Sequence, residues 1–196
     1  MSALVALPAA DTWSAWLEPA WARHQNPWSW YVRPLFLLPL AAAAWRRSPT
    51  GIVVTLLALA TSMAWFPAPD VVDPRIAEFI AYERAWFASA WGPADLLGVL
   101  VVVTLVVAYC AAFWRRSPLL GAVLLVVMAG GKLAWGLTGT RGAAAMLAPA
   151  LVGLVVCLAG VGLAAALGRR QERARATASA SSAPTSARES EAPSSR

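Results

Sequence analysis

The chain has 196 residues, of which 59% are apolar and only 13% are charged. Because an average soluble domain is about 25% charged, this composition excludes a domain that presents a polar surface to water on every side. The formal net charge of +6 does not indicate nucleic-acid binding, since ten of the 16 basic residues lie in two short turns and the C-terminal tail. The composition predicts an integral membrane protein, and its richness in alanine and arginine is typical of a high-GC bacterial genome.

An internal repeat organises the chain. Four tryptophans recur 69 or 70 residues later, and the third pair extends to the motif Trp-Arg-Arg-Ser-Pro at 45–49 and 114–118. A repeat of fixed period defines a building block of the fold. We therefore expect an all-α integral membrane fold with five transmembrane helices: two tandem two-span pseudo-repeats plus a fifth span. The repeated pairs are Trp16 and Trp86, Trp21 and Trp91, Trp45 and Trp114, and Trp65 and Trp135.

Residues 1–27 form an external N-terminal segment in this scheme. Apolar side chains recur at helical spacing between Asp11 and Trp21, which predicts an amphipathic helix lying in the membrane interface. Its apolar face comprises Trp13, Trp16, Leu17 and Trp21. Pro19 is expected to kink this helix, because proline cannot donate a helical hydrogen bond.

The first repeat, residues 28–66, contains predicted spans at 28–45 and 51–66. The turn Trp45-Arg46-Arg47 joins them, and Ser48-Pro49 predicts the start of the second span, since serine caps helices and proline suits the first helical position. The turn carries an aromatic-belt residue and two phosphate-binding cations. It is interpreted as a topology anchor, with a lipid or partner docking site as the alternative.

An external loop, residues 67–94, separates the repeats. Asp73-Pro74 predicts a second capped helix in this loop. Apolar and polar side chains follow at near-helical spacing up to Trp91, so we expect another interfacial amphipathic helix. This helix is the counterpart of the N-terminal one.

The second repeat, residues 95–137, contains predicted spans at 95–114 and 119–137, and its turn Trp114-Arg115-Arg116 matches the first turn. The segment 138–168 holds a fifth predicted span at 143–167. Residues 169–196 lack apolar periodicity, which is typical of a disordered basic tail.

Both basic turns and the tail fall on one side of a five-span protein. The positive-inside rule makes that side cytoplasmic, so the N-terminus is expected outside and the C-terminus inside the bacterial plasma membrane. The expected partners are the bilayer, anionic lipid of the inner leaflet, and a membrane protein or a second copy of the chain.

Two cations lie inside predicted spans, where ionisable residues are rare and often functional. Lys132 and Arg33 fall at similar depth on the outer side, where each can snorkel to the headgroups or line one electropositive vestibule. Asp95 and Glu83 are candidates to neutralise that charge from the outer interface. His24 is interpreted as an interfacial polar residue, with a proton-relay role as the alternative.

Catalytic and metal-binding residues are not recognisable in the sequence. Cys110 and Cys157 lie in apolar runs and are expected to behave as small hydrophobes. His24 has no second histidine or cysteine nearby, so no metal site is predicted. We therefore predict no cofactor and no enzymatic activity.

The stretch from Asn26 to Pro34 resembles a group of small multi-pass membrane proteins from high-GC bacteria. The segments Trp65-Phe66-Pro67-Ala68-Pro69 and Asp73-Pro74-Arg75 share in that resemblance, which covers about residues 12–168. It implies the class and the location of the protein but no activity.

Two functions of different classes follow from these observations. The first is a non-enzymatic membrane protein that packs against other membrane proteins or lipids, because the fourth and fifth spans are rich in glycine. The second is a small transporter or binding protein for an anionic or amphiphilic solute at Arg33 and Lys132. Since both repeats begin and end outside, their axis is expected along the membrane normal, which disfavours the inverted-repeat transporter architecture.

Overall fold

The computed structural model describes the backbone of residues 10–139 and 144–181 and the side chains of residues 17–134 and 145–179. Within these ranges the chain is helical and contains no strand, which confirms the all-α prediction. The side chains of Trp13, Trp16 and Trp135 and residues 182–196 of the predicted tail lie outside the described part. The helices are α1 (Ala10–His24), α2 (Pro27–Leu35), α3 (Leu37–Trp45), α4 (Pro49–Thr61) with a 3₁₀ turn (Ser62–Ala64), α5 (Pro74–Ala88), α6 (Pro93–Trp114), α7 (Pro118–Gly139) and α8 (Ala144–Ser181).

The first predicted span is two consecutive helices, α2 and α3, that meet at Phe36. The interruption has a local cause in Pro39. Proline has no N–H to donate to the carbonyl four residues earlier, and its ring crowds that carbonyl, which here belongs to Leu35. The chain continues in helical conformation through Phe36, whose N–H donates to the carbonyl of Arg33 at 3.2 Å.

The predicted helix starts are confirmed. Ser48 Oγ accepts a hydrogen bond from the Gly51 N–H at 3.1 Å, and Ser117 Oγ accepts one from the Leu120 N–H at 3.4 Å. Asp73 caps α5 through the N–H of Arg75, at 2.8 Å. Each cap satisfies a helix N–H that has no partner within its own helix, and in each case a proline occupies the next position.

The two Trp-Arg-Arg-Ser-Pro turns have the same backbone hydrogen bonds. Arg47 and Arg116 are both left-handed, with φ of 54° and 61°. In the first turn the Arg47 N–H donates to Ala44 and the Ser48 N–H donates to Ala43, and the second turn repeats both bonds. This is the Schellman termination, which usually places glycine at the left-handed position. The two turns therefore share a left-handed backbone conformation at equivalent arginines, which is unusual for this residue type.

The two turns also contact each other. Arg47 Nε donates to the carbonyl of Trp114 at 3.4 Å, and the guanidinium carbon of Arg116 lies 4.8 Å from the centre of the Trp45 ring. Each turn thus supplies an arginine to the tryptophan of the other. The contacts place both turns at the same end of α3 and α6, so these two helices run in the same direction.

Helices α3 and α6 pack together and form the centre of the core. The buried side chains of α3 are Leu40, Ala41 and Ala44, and those of α6 include Tyr109 and Phe113. The Tyr109 hydroxyl donates to the carbonyl of Leu37 at 3.0 Å, so the only polar atom of this ring is satisfied.

The first half of α8 packs against α2 and α3. Cys157 Sγ donates to the carbonyl of Pro34 at 3.3 Å. A Cβ atom added at Gly153 would lie 2.3 Å from Pro34 Cβ, and one added at Gly160 would lie 2.8 Å from a methyl carbon of Leu38. The glycines therefore allow the close approach of α8, as small residues do at helix interfaces in membranes.

Residues 1–161 form one compact unit, and residues 162–196 form a second. In the described part of the second unit, α8 continues to Ser181, whereas we expected an unstructured tail from residue 169. Residues 169–176 are mainly Arg, Ala, Gln and Glu, which are strong helix formers. Extending an existing helix requires no new nucleus, so these residues continue it without an apolar face of their own.

Two helices of the described residues are long and apolar enough to cross a membrane: Pro93–Trp114 and the segment Ala145–Ser179 of α8. Only 17% of the most apolar window of each is buried. Two shorter apolar stretches, Pro49–Ala64 and Pro118–Ala134, accompany them.

We expect Gly153→Ala to destabilise the bundle, because the new methyl group must displace the stiff Pro34 ring, at about 1–3 kcal/mol for overpacking of this kind. Gly130→Ala is the matched control, since nothing lies within 4 Å of the added Cβ and alanine favours the helix. Thermal unfolding of both variants in detergent, followed by tryptophan fluorescence, measures the difference. Equal shifts in Tm would contradict the close contact between α8 and α2.

Candidate functional site

His24, the last residue of α1, lies at the centre of the candidate site and is 1% exposed. Its ring stacks on the Trp30 indole, with centroids 4.2 Å apart and an angle of 25° between the planes. Its carbonyl accepts a hydrogen bond from Trp30 Nε1 at 3.0 Å. These contacts hold the end of α1 against α2 and give the imidazole one orientation.

The two ring nitrogens of His24 face different groups. Nδ1 lies 3.4 Å from Ser29 Oγ, and the Ser29 hydroxyl donates to the carbonyl of Asn26 at 2.8 Å. The Ser29 oxygen is therefore free to accept the Nδ1 proton. Nε2 lies 3.2 Å from a terminal nitrogen of Arg33 and 3.4 Å from Glu83 Oε2. A neutral ring with its proton on Nδ1 accepts from Arg33, whereas a protonated ring donates to Glu83.

Arg33, on α2, approaches His24 over the Trp30 ring, with its guanidinium carbon 5.5 Å from the ring centre. One of its nitrogens, Nε, is buried and has no hydrogen-bond partner among the described residues. Buried polar atoms of native proteins nearly always have a partner, so this exception calls for an explanation such as an ordered water or an ion.

Glu83 of α5 contacts His24, and Lys132 of α7, whose side chain is exposed, lies within electrostatic range of this group. Glu83 and Arg33 both act electrostatically on Lys132, and all three act on His24. We call His24, Arg33, Glu83 and Lys132 the charged cluster. Its members lie on α1 and α2, on α5 of the loop between the repeats and on α7 of the second repeat, and with a neutral His24 it holds two positive charges and one negative charge.

Asp95, the fifth residue predicted for this site, is engaged at the start of α6. Its Oδ1 accepts from Trp86 Nε1 at 2.6 Å, and its Oδ2 accepts from the Gly92 N–H at 2.9 Å. A carboxylate in the first turn of a helix is stabilised by the free N–H groups and the helix dipole. Asp95 therefore caps α6, and Glu83 is the carboxylate that lies beside the cations.

Ser29 and Trp30 belong to the site, although the sequence pattern did not indicate them. Trp30 is 5% exposed and packs between His24 and Phe79. The signal that points to it is its spacing from Arg33, since residues three apart share one face of a helix. Trp30 also lines a cavity of about 150 Å³, whose polar wall residues include Tyr31, Asp73 and Arg75.

Burial lowers the pKa of His24, and Arg33 lowers it further, while the hydrogen bond with Glu83 acts in the opposite direction. Desolvation is the largest of these effects because the charged imidazolium loses its hydration inside the protein. His24 is therefore neutral at neutral pH, and Arg33 is its partner at Nε2.

The basic turns form a second candidate site at the opposite end of α3 and α6. The residues predicted there are Trp45, Arg46, Arg47, Trp114, Arg115 and Arg116, and all six are exposed. Among the described residues, ion pairs join only His24 to Glu83 and Arg84 to Glu18, so the four turn arginines have no carboxylate partner there. The two turns lie in contact, and their positive charges form one patch.

We expect protein stability to fall as the pH drops below about 6.5. The folded-state pKa of His24 lies below the ordinary value of 6.5, so the unfolded chain takes up this proton first and acid favours unfolding. Above that pH the contribution of His24 is constant. Because His24 is the only histidine, the Tm of the wild type should fall between pH 7 and 5.5, and the Tm of His24→Phe, which keeps the ring stacking, should not. Equal slopes for the two proteins would contradict the assignment.

The geometry of the charged cluster is the evidence for its role. No protein-family model, curated protein or solved structure matches this chain. The function is therefore inferred from the chemistry of these residues.

Proposed function

We propose that the protein is a multi-pass membrane protein with five spans, formed by α2 with α3, α4 with its 3₁₀ turn, α6, α7 and α8. Large apolar side chains are exposed along α4, α6, α7 and α8, in amounts that water-soluble monomers rarely tolerate. The unpaired arginines of the two basic turns support a cytoplasmic position for that end. The N-terminus is then outside, and the charged cluster lies in the outer half of a bacterial plasma membrane.

We infer that the charged cluster binds an anionic ligand between the two repeats, and that the protein is a small binding protein or transporter without enzymatic activity. The observation that carries this inference is the buried Arg33 Nε without an acceptor. A carboxylate or phosphate oxygen is the acceptor that a guanidinium binds best. Lys132 adds a second cation, and Glu83 alone leaves the cluster with one excess positive charge.

The size of the adjoining cavity favours a small ligand or a headgroup rather than a large organic molecule. Its volume of about 150 Å³ lies well below the roughly 300–1,000 Å³ of pockets that enclose drug-sized ligands. The apolar walls contributed by Ile76, Met146 and Pro149 suit the short apolar part of an amphiphile. An amphiphilic monoanion such as a fatty acid combines both properties.

The second candidate function is packing against another membrane protein. Gly130 and Gly131 on α7 leave open space around an added Cβ, so this face accepts a closely approaching helix. Gly131 directly precedes Lys132, but the other three residues of the charged cluster lie on α1, α2 and α5. Substitution in the cluster therefore distinguishes the two candidates.

We expect Lys132→Met and Glu83→Gln to change anion binding in opposite directions. Lys132→Met removes the excess positive charge and should weaken binding of laurate about tenfold or more, whereas Glu83→Gln raises the charge and should strengthen it. Native mass spectrometry of the mildly solubilised protein measures how much added laurate, acetate or uncharged dodecanol each variant retains. Glu18→Gln, in an exposed ion pair with Arg84, is the control.

Unchanged laurate retention in both cluster variants would overturn the binding proposal. A protein that co-purifies with the wild type and with Lys132→Met alike would support packing instead. Acetate and laurate separate a free solute from an amphiphile, since both carry a carboxylate and only laurate has a long chain.

The proposed topology makes a separate prediction. In a cysteine-free background (Cys110→Ala, Cys157→Ala), Ala68→Cys in the external loop should react with a membrane-impermeant maleimide on intact cells. Leu120→Cys, beside the second basic turn, should react only after the membrane is opened. Labelling of Leu120→Cys from outside would contradict both the orientation and the five-span arrangement.

A further inference from the structure

Equivalent sides of α3 and α6 have different surroundings in the two repeats. Another helix covers this side of α3, whereas this side of α6 is open. In the first repeat, α8 covers the side of α3 that carries Leu38 and Ala41, through Gly160, Cys157 and Val161. At the 69-residue offset of the basic turns, the corresponding residues of α6 are Val107 and Cys110. Among the described residues before Gly162, no helix covers Val107 on this side of α6, and its side chain is 61% exposed.

A shallow, open groove of about 390 Å³, lined by residues of α6 and its C-terminal cap alone, lies on this side of the helix. Its walls are Val107, Cys110, Ala111 and Trp114, and Arg115 lies at its end. Val107 and Trp114 are seven residues apart, which is about 10 Å along a helix. The groove therefore runs from the level of the basic turns toward the middle of the bundle, with an apolar length and a cationic end.

Arg115 is available to a ligand, in contrast to its neighbour. Arg116 lies over the Trp45 ring, and Arg47 of the other turn donates to the Trp114 carbonyl. Arg46 and Arg115 are the equivalent C-terminal cap residues of α3 and α6, and neither has an ion-pair partner among the described residues. Arg115 adjoins the open groove, whereas α8 covers α3 at Leu38 and Ala41, the equivalents of the groove residues Val107 and Cys110.

We propose that this groove holds one anionic phospholipid, with the headgroup phosphate on Arg115 and an acyl chain along Ala111 and Val107. The guanidinium binds phosphate in a bidentate geometry, and tryptophan is suited to the headgroup level. Charge complementarity supports this occupant, since a phospholipid supplies both a phosphate for the Arg115 cation and an acyl chain for the apolar wall. This site is separate from the charged cluster, which lies at the other end of the bundle.

The pseudo-repeat supplies matched controls for the test. Arg115→Gln and Arg46→Gln remove the same charge from equivalent turn positions, but only the first adjoins the groove. Ala111→Leu fills the groove and keeps every charge, and Ala42→Leu is its equivalent on α3. All four residues are exposed, so the substitutions leave the core intact.

The delipidated full chain is titrated with phosphatidylglycerol or phosphatidylcholine, and native mass spectrometry counts the lipids retained. We expect one tight phosphatidylglycerol on the wild type, with affinity about tenfold weaker in Arg115→Gln, the loss typical of one charge-assisted contact. Ala111→Leu should weaken retention similarly, and Arg46→Gln and Ala42→Leu should change it less than twofold. Phosphatidylcholine should bind weakly to all five proteins.

Three results would overturn the proposal. Equal losses in Arg115→Gln and Arg46→Gln would indicate diffuse attraction to the basic patch. Unchanged retention in Ala111→Leu would indicate that no acyl chain occupies the groove. A bound protein that Ala111→Leu releases and phosphatidylglycerol does not displace would identify a partner helix as the occupant.

Discussion

The contact between α3 and α6 is the interaction on which the rest of the structure depends. Its two sides are equivalent in the repeat but differ in size, since Leu40 and Ala44 of α3 correspond to Tyr109 and Phe113 of α6. Two identical surfaces of large side chains would leave gaps or clash, whereas small residues against aromatic ones fill the interface. The basic turns meet at one end of this pair of helices, and α1, α2 and α5 meet near the other.

The sequence repeat relates two halves of the chain, but it does not duplicate the residues of the charged cluster. At the 70-residue offset, the positions equivalent to His24 and Lys132 are Ala94 and Ser62, neither of which can carry a charge. The charged cluster is therefore a single site in a pseudo-symmetric frame. The same reasoning applies at the other end, where α8 covers one of two equivalent helix surfaces and leaves the α6 groove open.

Local features were predictable from the sequence, and contacts between distant residues were not. Ser48, Ser117 and Asp73 start helices as expected, because a cap depends only on the next few residues. The proximity of Arg33 and Lys132 was a possibility that needed the packing of the two repeats to decide it. The choice between Glu83 and Asp95 was beyond sequence reasoning, since it depends on which carboxylate a neighbouring N–H group already holds.

The balance of charge in the cluster bears on the valence of the proposed ligand. With His24 neutral, Arg33 and Lys132 exceed Glu83 by one positive charge, and a unit pair about 4 Å apart interacts by roughly 4 kcal/mol near a protein surface. A monoanion removes the excess, whereas a dianion leaves the site negative unless His24 takes up a proton. Protonation would turn Nε2 from Arg33 to Glu83, which frees the guanidinium for the ligand. On this proposal, a neutral His24 suits a monoanion and a protonated His24 suits a dianion.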